Sequence, residues 1–111
     1  MKELIKNKPE NKLQIFKLLF DFLQEILDIK EAQLFVRALI FCGEFSQSLD
    51  FLDYGVFFLN QARIMCDNIE MLWKLKPEIY YKMGSISNQL RLLDISIILL
   101  KRALQYSWVF K

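Results

Sequence analysis

The sequence predicts an all-α protein of antiparallel helix pairs, and three observations predict it. Apolar residues recur at three- and four-residue steps, with no sustained alternation at period two. Only 3 Gly and 2 Pro interrupt 111 residues, so turns are few and helices long. Residues 41–65 are echoed in character by residues 82–106, at an offset of 41 and without a gap. Residues 1–111 are taken as one domain of about two and a half helical units: a helix at 11–29, then repeats at 31–68 and 72–108.

Residues 1–10 are polar and read as a frayed start. From 11 to 29, Leu13, Phe16, Phe20, Leu23 and Leu27 keep helical spacing. Ile15, Leu18, Leu19, Phe22 and Ile26 widen that face until it covers most of the helix, which calls for neighbours on two sides. A second helix over 31–49 carries Leu34, Phe35, Ala38, Leu39, Cys42 and Phe45 as its stripe. A break at 50–53 leads to a third helix, with Asp53 as its N-cap, running to about Asp67. Residues 68–76 read as a connector with a short helical turn near Met71–Trp73. Pro77 suits the first turn of a fourth helix ending near Leu90. Asp94 caps a fifth, ending near Ser107. ISIILL at 95–100 has strand-like composition, but its place between a capping Asp and KRALQY favours helix.

In the repeat, Gly43 aligns with Gly84, Ser46 with Ser87, Leu59 with Leu100 and Ala62 with Ala103. A mid-helix Gly costs up to about 1 kcal/mol against Ala. The repeated cost implies a repeated use: the first helix of each pair presses its backbone on the second. There Gly55 or Ser96 answers, followed by the fillers Leu59 or Leu100 and the small Ala62 or Ala103.

This spacing resembles the tetratricopeptide repeat. The first-helix signature is Leu39, Cys42 and Gly43, then Tyr80, Met83 and Gly84; the second-helix signature is Gly55, Leu59 and Ala62, then Ser96, Leu100 and Ala103. Ser46 and Ser87 stand where that family has an aromatic, no proline closes the units, and the period exceeds the usual one. The longer period is similar to variants in motor-cargo adaptors, polarity proteins and ciliary proteins. The resemblance implies a curved stack of helix pairs that binds protein partners through its first helices. The positions that would hold a peptide carboxylate are Ile40 and Glu44, then Tyr81 and Ser85, and none forms such a clamp. A groove lined by Arg37, Ile40, Glu44 and Gln47, continuing to Glu78, Tyr81, Ser85 and Asn88, would take a mixed polar and apolar segment instead.

Composition narrows the chemistry. The chain has no His, so imidazole catalysis and His-ligated metals are out. Cys42 and Cys66 fall on apolar faces and read as buried, inert thiols. Pairs such as Asp50 with Asp53, or Asp28 with Glu31, suit turns and solvation. Neither phosphate-binding Gly loops nor HExxH appear. The reading is a non-enzyme without cofactor, metal or small-molecule substrate. A net charge of +2 without a basic strip near Tyr80, Tyr81 and Tyr106 argues against nucleic acid.

MKELIKNKPENK lacks the apolar core of a signal peptide. The longest uncharged run, nine residues at 54–62, is half of what spans a bilayer, about 18 or more. A soluble, intracellular protein is expected, in a cytoplasmic, cytoskeletal or ciliary setting that only the resemblance suggests. Apolar ends at the first helix and at Trp108, Val109 and Phe110 point to protein partners in a larger complex. The alternative is a peripheral membrane protein using 13–27 as an interfacial helix; Asp21, Glu25 and Asp28 on its polar face disfavour anionic lipid.

Overall fold

The computed structural model describes residues 9–28 and 31–109. These form five α-helices and one 3-10 helix, with no strand among the described residues. The helices are α1 (Pro9–Leu27), α2 (Ala32–Ser48), α3 (Leu52–Asn68), α4 (Lys76–Gln89) and α5 (Leu93–Val109). The 3-10 segment, Glu70–Leu75, joins α3 to α4 and buries Leu72 and Leu75. It is longer than the single turn expected at 71–73. Helix α1 starts at Pro9, inside the stretch read as frayed, because a proline lacks only an amide that the first turn leaves unused. The rest of that stretch, residues 1–8, and the expected end of the first helix at 29 lie outside the described residues.

Neither Asp53 nor Asp94 is an N-cap. Each sits inside the first turn, since α3 begins at Leu52 and α5 at Leu93. The preceding turn closes itself with backbone bonds, so no side-chain cap is required. The Asp50 amide donates to Gln47 O at 2.9 Å and the Phe51 amide to Ser46 O at 2.9 Å. The second turn repeats this: Arg91 donates to Asn88 O at 3.0 Å and Leu92 to Ser87 O at 2.9 Å. Both are Schellman closures, whose pivot residue must be left-handed. Asp50 has φ 64° and Arg91 φ 63°. A left-handed residue with a Cβ costs about 1–2 kcal/mol, less for Asp. Arg91→Gly is therefore expected to raise stability by about 0.5–1 kcal/mol after the greater unfolded-state freedom of glycine is subtracted. Thermal denaturation checks this; an unchanged or lower Tm contradicts it.

The molecule is a slab, with Cα extents of 43 × 37 × 18 Å. Helix α1 runs parallel to α3, since contacts advance together along both. Lys12 Nζ meets Asp53 Oδ2 at 2.9 Å, Phe16 packs on Tyr54 at 4.4 Å between centroids, and Phe20 on Phe58 at 6.2 Å. Partial burial works against ionisation of Asp53, but the Lys12 hydrogen bond and charge and the Tyr54 amide outweigh it, and the carboxyl sits below its ordinary value. The core joins α1, α2 and α3 around Leu19, Leu23, Val36, Leu39, Cys42, Phe58 and Ala62, and extends to Leu72 and Ile79.

The inward row of α1 differs from the one expected. Leu19 and Leu23 are buried, flanked by Ile15, Phe16 and Ile26, whereas Leu13 and Leu27 are half exposed. A helix apolar nearly all round gives no direction from its own sequence. The neighbours choose, and the aromatic set on α3 selects the side bearing Phe16.

Candidate functional site

Two helix hairpins, α2–α3 and α4–α5, carry the residues singled out above. In the first, a Cβ built on Gly43 would lie 2.7 Å from Leu59 Cγ and 3.4 Å from Gly55 O. In the second, a Cβ on Gly84 would lie 2.8 Å from Leu100 Cγ and 3.4 Å from Leu100 N. Ser96 Oγ donates to Gly84 O at 2.8 Å in a buried contact. The structure thus brings Gly43 against Gly55 and Leu59, and Gly84 against Ser96 and Leu100; Ala62 and Ala103 are buried further along the same second helices.

The hairpins differ in what lies against them. Helix α4 packs on the first, parallel to α2. Lys82 pairs with Glu44, Gln47 donates to Ser85 Oγ at 3.4 Å and also bonds Gln89, and Ile86 reaches Gly55. A Cβ on Gly55 would meet Ile86 Cδ1 at 2.8 Å and Gly43 O at 3.3 Å, so a side chain at position 55 would have to displace the end of Ile86. Position 96 holds a serine, 3% exposed against α4, with no third helix of the described residues packed over it as α4 is over Gly55. At the far end of the joint, Lys76 Nζ lies 3.4 Å from Asp67 Oδ1, and 4.8 Å and 4.9 Å from the Trp73 and Tyr106 ring centroids. This clamp escaped the sequence reading. Its signal is a lysine between Leu75 and Pro77 at the end of the connector.

The expected groove therefore divides. Ile40 is 5% exposed and belongs to the core, because α4 covers the hairpin that carries it. Glu44 and Gln47 are engaged by α4. Arg37 stays on the solvent side. The second half is open: Glu78, Tyr81, Ser85 and Asn88 border a trough whose other wall is α5. Tyr81, the counterpart of Ile40, is 61% exposed. Leu100 is 38% exposed against 0% for Leu59. The floor holds Gly84, Ser96 and Ala103, and the α5 wall is Leu93, Ile97, Leu100 and Leu104. At the proposed docking end, Trp108 and Val109 are exposed, while Phe110 lies outside the described residues.

The α5 wall of the trough is apolar, while the α4 wall adds Glu78, Ser85 and Asn88. No His, Cys, Asp or Glu cluster fit for a metal ion occurs among the described residues. Burial pushes the Cys42 thiol up to about 12, and burial with the neighbouring Asp67 charge pushes Cys66 up to about 11, the Lys76 charge opposing. Both are poor nucleophiles at neutral pH. No described helix is long and apolar enough to cross a membrane. In α1, the residues an interfacial helix would give to lipid include Leu19 and Leu23, which the core already holds.

Fold and site define an all-helical protein of packed neighbouring helices, with an open trough between α4 and α5 among the described residues. Compared with family models, curated proteins and solved structures, the chain has no match in any of the three.

Proposed function

We propose that this chain is a non-catalytic protein-interaction module of tetratricopeptide type, a scaffold subunit of a larger intracellular assembly. Its trough between α4 and α5 takes an apolar helix from a protein partner. One observation carries the reading: the same side of the first hairpin is filled by α4, while that of the second is open and lined by Leu93, Ile97, Leu100 and Leu104. Exposed contiguous apolar surface of this kind marks contact sites. The hairpin that is covered supplies the template for what covers the other, a helix with buried anchors like Ile79 and Ile86 of α4. A cytoskeletal or ciliary setting rests on the resemblance of the long repeat alone.

The test uses tagged full-length chain recovered from its source cells, with co-purifying polypeptides identified. Ile97→Glu combined with Leu104→Glu is expected to abolish co-purification while leaving circular dichroism and Tm unchanged, because both side chains point into the open trough. Undiminished co-purification contradicts the assignment.

A further inference from the structure

The trough has internal features that select its occupant. On α5, Leu93, Ile97, Leu100 and Leu104 follow steps of four, three and four, the spacing of a coiled-coil seam. These residues are exposed on the side that borders the trough; Ile95 and Ile98, also exposed, lie off this seam. Beside them, on the edge away from α4, stand Asp94 and Lys101, both exposed and one heptad apart.

If a second α5 is laid antiparallel on this seam, Leu93 opposes Leu104 and Ile97 opposes Leu100 of the other copy. The arrangement is its own complement, as a two-fold interface demands. Asp94 then faces Lys101 of the second copy, and the two-fold axis repeats the pair. Opposite charges meet at both ends and like charges at neither.

A third observation separates this trough from the one α4 fills. There, Glu44 and Asp67 receive Lys82 and Lys76. At the offset of 41, those positions are Ser85 and Trp108. The open trough has lost both acidic fasteners that hold a helix like α4, and presents an apolar seam with its own paired charges instead.

We infer that the occupant of the α4–α5 trough is a second copy of this chain, docked with its α5 antiparallel to form a two-fold four-helix interface. This rests on the reading of the trough as a protein-binding surface and names the partner.

The test is sedimentation equilibrium of the purified full chain over a range of concentrations. A monomer–dimer equilibrium is expected. Ile97→Glu with Leu104→Glu should weaken it at least about 100-fold, since each seam residue is buried twice per dimer. Asp94→Lys alone, or Lys101→Asp alone, should weaken it roughly 2- to 30-fold. Mixing these two single variants should restore association as a heterodimer, because each then offers what the other lacks. Rescue also shows that both variants are folded.

A dimer indifferent to all these changes overturns the inference. So does growth into open polymers, which marks head-to-tail docking. A wild-type monomer at the highest soluble concentration also overturns it. In that case, seam-dependent co-purification of a different chain preserves the binding-module reading, and seam-independent co-purification removes both.

Discussion

Phe58→Ala is expected to cost about 3–5 kcal/mol of folding stability. Phe58 is fully buried in the middle of α3, in the cluster shared with Cys42 and Ala62. Its ring lies 5.5 Å from that of Phe16 and 6.2 Å from that of Phe20, so it fixes α1 on the α2–α3 hairpin. Truncation removes the ring's transfer energy, leaves a cavity, and breaks aromatic pairs worth about 0.5–1.5 kcal/mol each. For a chain of this size that is a drop in Tm of roughly 12–40 °C, taking about 4–8 °C per kcal/mol. Phe57→Ala is the control. Phe57 adjoins the same rings, 5.8 Å from Phe16, 6.1 Å from Phe20 and 5.4 Å from Phe58, but is 40% exposed, so the loss should be smaller, about 1–2 kcal/mol. Urea denaturation of both variants decides; equal losses would mean that α1 is not seated on Phe58.

Gly43→Ala is expected to destabilise by about 1–2 kcal/mol, whereas Gly84→Ala should be close to neutral. In an ordinary helix either change gains up to about 1 kcal/mol of helix propensity. At Gly43 the new methyl meets Leu59 Cγ at 2.7 Å, and Leu59 is fully buried, so neither group can withdraw. Overpacking of this sort costs about 1–3 kcal/mol and outweighs the gain. At Gly84 the opposing Leu100 is as close, 2.8 Å, but borders the trough and can swing outward. The two glycines look alike in sequence and differ only in whether the opposing leucine has room to move. Shortening Leu59 to Ala in the Gly43→Ala background should recover part of the loss, a coupling of about 1–2 kcal/mol in a double-mutant cycle. Equal penalties at the two glycines would contradict the picture of one covered and one open hairpin.

The helices were legible because their apolar spacing is strong and their breaks are few. The five helices expected are those observed among the described residues, with ends shifted by one or two positions. The ends moved because the signals at Asp53 and Asp94 were those of capping carboxylates, and the turns are closed by backbone instead. Asp50 and Arg91 carry no glycine to announce a left-handed residue; only their shared offset hints at a shared conformation. The groove was half legible. Tyr81, Ser85 and Asn88 line open space, while Ile40 at the equivalent place is buried. A repeat pattern specifies which residues correspond. It does not say which copy has a neighbour, and burial follows the neighbour. The side of α1 that faces inward was illegible for the same reason: its apolar residues run nearly all round, and Phe16 was selected by Tyr54 and Phe58 on another helix.

The central claim is that helices touch backbone to side chain at the three glycines, and nuclear Overhauser spectra of the full chain test it most directly. Strong cross-peaks are predicted from Gly43 Hα to the Leu59 methyls, from Gly55 Hα to the Ile86 δ-methyl, and from Gly84 Hα to the Leu100 methyls. Glycine α-protons that see only their sequence neighbours would contradict the account.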